Sequence, residues 1–306
     1  MFEGEEDVLE RDDFCSLAPI GWLHHKMQDS FFLVVGTGSC QGFLQMALGV
    51  MIFARPRFAT ALPDEDDLAG RDPLEALLPL VRTIVADHAP SALFLASTCT
   101  PEILKMNIAG CAPQLERETG VRVYPTRLDG FDAAYTEGED HVLASMIERA
   151  PTTDDANLVI LGCLSALEEA EIRIECRAMG IPQPSFLPAE SALDVPAIGK
   201  NTTLVPAHPY LYNAAAYAVR VRGCRVPATV FPYGPDGARA FYEGLATAFG
   251  RTVSYQARRE ERKASRRGSS AARCGSFGSG TPVRRMARRN RRRQTGSRGV
   301  SEADRR

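Results

Sequence analysis

Along residues 31–249 short apolar runs alternate with stretches of helical periodicity, and this alternation restricts the possible folds more than any other feature of the chain. Residues 31–35 (FFLVV), 92–96 (ALFLA), 121–125, 158–161 (LVIL), 203–206 and 228–231 are short and apolar enough to be strands. Residues 43–53, 73–87, 101–119, 139–149, 166–179, 213–222 and 236–249 carry apolar positions at helical spacing. Strands separated by helices build βαβ units, whose parallel sheets are covered on both faces. The expected fold is therefore α/β, with two such units in series: residues 1–150, then 151–254 after the plain linker PTTDDA.

Charge divides the chain differently. Residues 257–306 hold 17 Lys and Arg against 4 Asp and Glu, whereas residues 1–256 hold 19 against 34, so the net charge of −2 averages an acidic body with a basic tail. The tail has no Leu, no Ile and one aromatic, Phe277. Such a segment buries too little apolar surface to offset chain entropy, so residues 255–306 are expected to be disordered. Two readings compete for it. One is a basic arm for RNA or a membrane surface. The other, preferred, is a shifted reading frame, because only Lys26, Lys105, Lys200 and Lys263 are lysines among 36 basic residues. That bias suggests a GC-rich gene, in which a shifted frame yields Arg, Gly, Ser and Ala. No run reaches the roughly 18 apolar residues of a membrane span, and the acidic start MFEGEEDVLERDD does not read as a targeting segment. Eight cysteines without such a segment point to a reducing, cytoplasmic (bacterial) setting, where thiols serve metals or chemistry.

FLVVGTGSCQGFLQ, residues 32–45, resembles a nucleotide-binding turn but misses its glycine pattern by one place, with Gln41 in the sixth position. A dinucleotide oxidoreductase is kept only as a minor alternative. Cys40 follows the strand at 31–35, and Cys99, in STCTPE, follows the strand at 92–96. Ligands of open parallel sheets gather outside the carboxyl ends of strands, so both thiols are expected at one crevice. Thr100, Pro101 and Glu102 suit a helix start, where thiolate is favoured. Cys15, in DDFCSLAPIGWLHHK, would reach the same crevice on a loop. The absence of a C-x-x-C pair weakens a structural zinc site. Widely spaced cysteines suit a cluster assembled by a whole domain, although spacing alone leaves an inert core role open for each.

GWLHHKMQDSFFLVVGTGSCQGFLQMALGVMIFARPRFATA, STCTPEILKMNIAG and TEGEDHVLASM closely resemble the N subunits of light-independent protochlorophyllide reductases, relatives of the nitrogenase molybdenum–iron protein. The resemblance runs from about residue 12 to 249. It implies tandem Rossmann-like domains without a Rossmann cofactor, and a [4Fe-4S] cluster held by Cys15, Cys40 and Cys99. A carboxylate from a B-type partner would complete that cluster in an N2B2 heterotetramer. A separate ATP-hydrolysing dimer would deliver electrons, and protochlorophyllide, bound in an apolar cavity between the N-type and B-type chains, would be reduced at C17=C18 in (bacterio)chlorophyll biosynthesis. Family members carry a third domain, expected to be missing here, which puts the activity of this chain in doubt. Phe14, Trp22, Phe31 and Phe43 are candidates for the cavity wall, with ordinary core the weightier reading for each.

Other residues are assigned blander roles. Cys111, Cys176 and Cys224 are expected in the core; Cys163 follows a strand end but has no thiol partners in view; Cys274 lies in the tail. His24 and His25, adjacent on a helix, diverge by about 100° and are read as surface or interface groups. Glu137, Glu139 and Asp140 fit a helix N-terminus better than an acid/base pair. Rival functions are a chlorophyllide a reductase-type subunit and, from another class, a nucleic-acid binder driven by the basic tail.

Overall fold

In this computed structural model residues 15–49, 57–131, 135–229 and 231–252 are described. Phe14, Cys274 and the expectation of a disordered tail fall outside them. The described chain runs α1 (Ile20–Lys26), β1 (Ser30–Val35), α2 (Gly38–Gly49), β2 (Phe58–Ala61), α3 (Glu65–Leu68), α4 (Pro73–His88), β3 (Ala92–Ser97), α5 (Cys99–Ile103), α6 (Ile108–Thr119) and β4 (Arg122–Arg127). It continues through α7 (Glu137–Glu148), β5 (Leu158–Leu161), α8 (Ala166–Met179), β6 (Pro184–Leu187), β7 (Thr203–Pro206), α9 (Tyr212–Arg222) and α10 (Gly234–Ala248). Two all-parallel sheets result, in the orders β2-β1-β3-β4 and β6-β5-β7.

The inner strands are those that read most clearly as apolar runs. Every residue of β1, β3 and β5 is buried, as parallel strands covered on both faces require. On one face of the first sheet Phe31, Leu33, Leu93 and Val123 pack under α4 and α6. On the other, Phe32, Phe94 and Tyr124 form a stack, with centroids 4.7 and 5.0 Å apart. That second cluster runs on without a break through Val142 and Met146 of α7 to Leu161 and Leu187 of the second sheet.

Three elements depart from the sequence reading. The helix expected at 43–53 starts at Gly38, so Cys40 lies in its first turn rather than in a bend. The helix expected at 101–119 is two: Lys105 takes a left-handed φ of 56°, and Asn107 caps α6 through the Gly110 N–H. Ala228 and Thr229 form no strand, being flanked by Pro227 and Pro232, which cannot donate to a ladder. Arg225 bridges to Thr203 instead. Edge strands β2 and β6 were not legible: the first is half-exposed throughout, and the second begins on Pro184, a residue that edges tolerate.

Polar contacts lock the two sheets together. Asp29, after α1, accepts from Ser191 Oγ (2.6 Å) and Ala192 N (2.9 Å). Asp140 of α7 is fully buried and accepts from Asn213 N (2.9 Å) and Ala214 N (2.7 Å), supplying from a distance the cap that α9 lacks locally. Burial pushes the Asp140 carboxyl up, against those two hydrogen bonds.

Candidate functional site

β1 connects outward to β2 and β3 connects the opposite way to β4, so the first sheet has its switch point between β1 and β3. All three predicted cysteines stand at that end. Cys40 follows β1, Cys99 is the first residue of α5 after β3, and Cys15 lies in the turn leading to α1. Each is half-buried and a free thiol. Thr98 Oγ1 donates to Val35 O (2.8 Å), stitching the two strand ends together. The Cys40 sulfur lies 3.6 Å from Thr37 Oγ1 and 3.9 Å from Thr98 Oγ1. Gly130, in the loop after β4, donates its N–H to Cys99 Sγ (3.2 Å). Next to Cys15, Ser16 Oγ donates to Asp129 O of that same loop (3.0 Å).

Burial pushes the Cys15 thiol up; the Leu17 backbone opposes this, and the nearby Cys40 and Cys99 sulfurs raise it further. Both sulfurs are therefore near enough to act on the Cys15 thiol. Among the described residues no three His, Cys, Asp or Glu side chains meet the arrangement for one metal ion. A single tetrahedral ion bound at about 2.3 Å would draw its sulfurs to within about 4 Å of each other. A polynuclear cluster takes each thiolate at a separate metal and spreads them wider. The donor set, three unpaired thiols with backbone N–H support and glycine on both sides, fits an iron–sulfur cluster by its chemistry. Gly36 forms part of that cradle: a Cβ there would meet Thr98 Oγ1 at 2.5 Å and Cys40 Sγ at 2.9 Å.

The remaining cysteines stay apart. Cys111, Cys176 and Cys224 are buried, and desolvation pushes the Cys111 thiol up to about 11. Cys163 follows β5 at the second sheet's own switch point, between β5 and β7. Burial and the neighbouring Glu139 push its thiol up to about 12. Beside it a cavity of about 550 Å³ is lined by Trp22, His25, Lys26, Leu164 and Glu190, among others. Of the four aromatics considered for a cavity wall, Trp22 borders this space, Phe43 packs half-buried on the core, and Phe31 is buried on the opposite face of the sheet.

Two sequence readings need correction. His24 is not a surface group: α1 buries Ile20, Leu23 and His24 along one stripe, and His24 Nε2 accepts from the Arg57 backbone N–H (2.9 Å). His25 alone is exposed. Glu139 and Asp140 do lie in a helical first turn, as expected, but both are fully buried. Sequence reasoning missed Glu139 as a hub because an acid at a helix start ordinarily faces water. Here its carboxylate accepts from Trp22 Nε1 (2.7 Å), the Cys163 N–H (2.7 Å) and Tyr210 Oη (3.3 Å).

Residues 15–273 match the family described as nitrogenase component 1 type oxidoreductase, past residue 249 where the motif resemblance ends. A relative from Chlorobium phaeobacteroides named light-independent protochlorophyllide reductase subunit N is 42% identical over 83% of this chain and 61% of its own length. Relatives of the same name from Roseiflexus castenholzii (42%; 81% of this chain and 60% of theirs) and Mesostigma viride (38%; 77% and 57%) are similar. The chain thus spans about three-fifths of the length of these relatives. The solved structure Nitrogenase Cp1 at pH 6.5 superposes with a TM-score of 0.65 at 14% identity, over 82% of this chain and 61% of that one, which establishes a shared fold. No helix among the described residues is long and apolar enough to cross a membrane.

Proposed function

The chain belongs to the nitrogenase component 1 type oxidoreductases, and from that membership we propose that it works as the N-type subunit of a light-independent protochlorophyllide reductase. The observation that supports the reading is that Cys40 and Cys99 follow β1 and β3 at the switch point of the first sheet, while Ser16, next to Cys15, is bonded to the loop that donates to Cys99. The names borne by the relatives favour this substrate over chlorophyllide a. Cys15, Cys40 and Cys99 would hold a [4Fe-4S] cluster as thiolates, and a B-type partner would supply the fourth ligand, a carboxylate. When bound, the cluster supplies low-potential electrons, within a range of roughly −700 to +450 mV that ligand charge and exposure tune.

The chain's own residues prepare that site. Gly130 N–H donates to the Cys99 sulfur and holds it in place at the end of β3. Thr98 fixes the spacing of the two strand ends, and with it the separation of Cys40 from Cys99. Trp22 and Leu164 offer apolar surface, but their cavity is open to solvent and also carries His25, Lys26 and Glu190, so it does not wrap a macrocycle alone. An apolar tetrapyrrole pocket would need walls from the partner, in line with an N2B2 assembly fed by a separate ATP-hydrolysing dimer. We assign residues 1–150 and 151–254 to two Rossmann-like domains and 255–306 to a separate tail.

Anaerobic co-expression with a B-type partner, followed by iron and acid-labile sulfide analysis, tests the reading. The complex is expected to carry cluster iron and to reduce protochlorophyllide in the dark with ATP and the reductase dimer. A well-folded complex without iron would overturn it.

A further inference from the structure

The second sheet has its own switch-point crevice, outside β5 and β7, where folds of this kind place a ligand. Here the place is taken by a side chain of the chain itself. Glu139 reaches in from α7, and one oxygen accepts from the N–H of Cys163, the second residue after β5. Its other oxygen accepts from Tyr210 Oη, just beyond β7, and from Trp22 Nε1 on α1. α1 is the helix that the Cys15 turn enters: Ala18 N donates to Cys15 O (2.9 Å) and Leu23 N to Pro19 O (2.9 Å). One residue before Glu139, Gly138 lies against the same turn, so close that a Cβ would meet Ser16 O at 2.0 Å and Pro19 Cγ at 3.2 Å. Consecutive residues of α7 therefore hold the Cys15 turn itself, at Gly138, and the helix that follows it, at Glu139. Ser16 adds a third hold through Asp129 O, in the loop that also donates to Cys99.

We propose that Glu139 is a positioning residue of the cluster site, tying the second sheet's switch point through Trp22 to the turn that places the Cys15 sulfur. Cys40 and Cys99 are set by the first sheet's own strands. Cys15 belongs to no strand, and its place depends on this grip. The inference rests on the cluster reading above and deepens it. It also makes the second sheet a determinant of a site to which this chain contributes only first-sheet and N-terminal cysteines.

The test uses the full chain co-expressed with its B-type partner, as wild type, Glu139→Gln, Glu139→Ala, Trp22→Phe and the double variant Glu139→Ala with Trp22→Phe. Three quantities are read: cluster iron with its electron paramagnetic resonance signal, the alkylation rate of Cys15 against Cys40 and Cys99 in metal-free chain by peptide mapping, and the urea midpoint. Glu139→Ala and Trp22→Phe are expected to change Cys15 alkylation selectively and to weaken iron retention about tenfold or more. Their effects on Cys15 should not add in the double variant, since they break one path. Glu139→Gln keeps an acceptor oxygen and should fall between. In Glu139→Gln the emission of Trp22, the sole tryptophan of the chain, should also shift. If the three cysteines change in parallel with the urea midpoint, or if Glu139→Gln and Trp22→Phe both leave iron, resonance signal and Cys15 reactivity at wild-type values, the positioning role is refuted. Iron-free wild type in a folded complex overturns the cluster reading itself, which the variants alone cannot do.

Discussion

Gly36→Ala probes the packing at the centre of the rim. Gly36 is buried at the end of β1 and is not among the glycines with positive φ, so the substitution tests space and not backbone freedom. The added Cβ would stand 2.5 Å from Thr98 Oγ1 and 2.9 Å from Cys40 Sγ, where ordinary contact begins at 3.4 Å. The Cys40 sulfur, at the end of a half-buried side chain, can rotate away. Thr98 is 1% exposed, and its hydroxyl is held by Val35 O, so it cannot yield without breaking that bond. Overpacking of this kind costs about 1–3 kcal/mol, and loss of the hydroxyl bond adds about 1 kcal/mol. Gly36→Ala should therefore cost about 2–4 kcal/mol. In a Thr98→Ala background the oxygen obstacle is gone, and the same change should cost about 1 kcal/mol, leaving a coupling of about 1–3 kcal/mol between the sites. Urea titrations of the four chains of this cycle, followed by Trp22 emission, measure it. Additivity of the two substitutions to within about 0.5 kcal/mol would show that Thr98 is not what fills the space. Iron retention should fall in Gly36→Ala as well, because the sulfur that moves is one of the three proposed to hold the cluster.

Further outcomes follow from the same geometry. Cys15→Ser, Cys40→Ser and Cys99→Ser should each strip most cluster iron from the co-expressed complex, while Cys111→Ser and Cys176→Ser should lower stability and spare iron; elemental analysis separates the two groups. With its thiol pushed up to about 12, Cys163 should resist iodoacetamide at pH 8, where only about one part in ten thousand is thiolate; mass mapping of the metal-free chain reads this directly. Burial of Asp29 works to raise its carboxyl, but hydrogen bonds from Ser191, Ala192 and Ser91 outweigh it and hold the group below its ordinary value of 3.8. A depressed acid stabilises the fold fully above that ordinary value and loses its contribution as pH falls through the folded one. The urea-midpoint gap between wild type and Asp29→Asn should accordingly shrink from pH 5 to pH 3, and a gap that widens would contradict the assignment.

How far the sequence alone could go is visible in particular residues. β1, β3 and β5 were legible because inner strands of parallel sheets are apolar on both sides, which leaves runs such as FFLVV and LVIL, and the edge strands β4 and β7 still carried apolar runs of their own. β2 and β6 were not, since an edge strand half-exposed like FATA, or opening on proline like PSFL, carries no such run. Cys40 and Cys99 could be placed at one crevice from their positions after strands. Bringing Cys15 there depends on a turn held by residues more than a hundred positions away, and no local pattern encodes that. Glu139 and His24 were misjudged for a shared reason: a charged or titratable residue on a short helix reads as solvated unless its distant partners are known, and those partners are Trp22, Cys163 and Tyr210 for one and Arg57 for the other.

The cap that Asp140 lends to α9 bears on how the molecule can move. A gape between the sheets would leave two amide protons and a carboxylate bare in a dry seam. Parting the two sheets there would therefore cost both hydrogen bonds at once, so the seam resists opening and the proposed cluster site keeps a fixed backing.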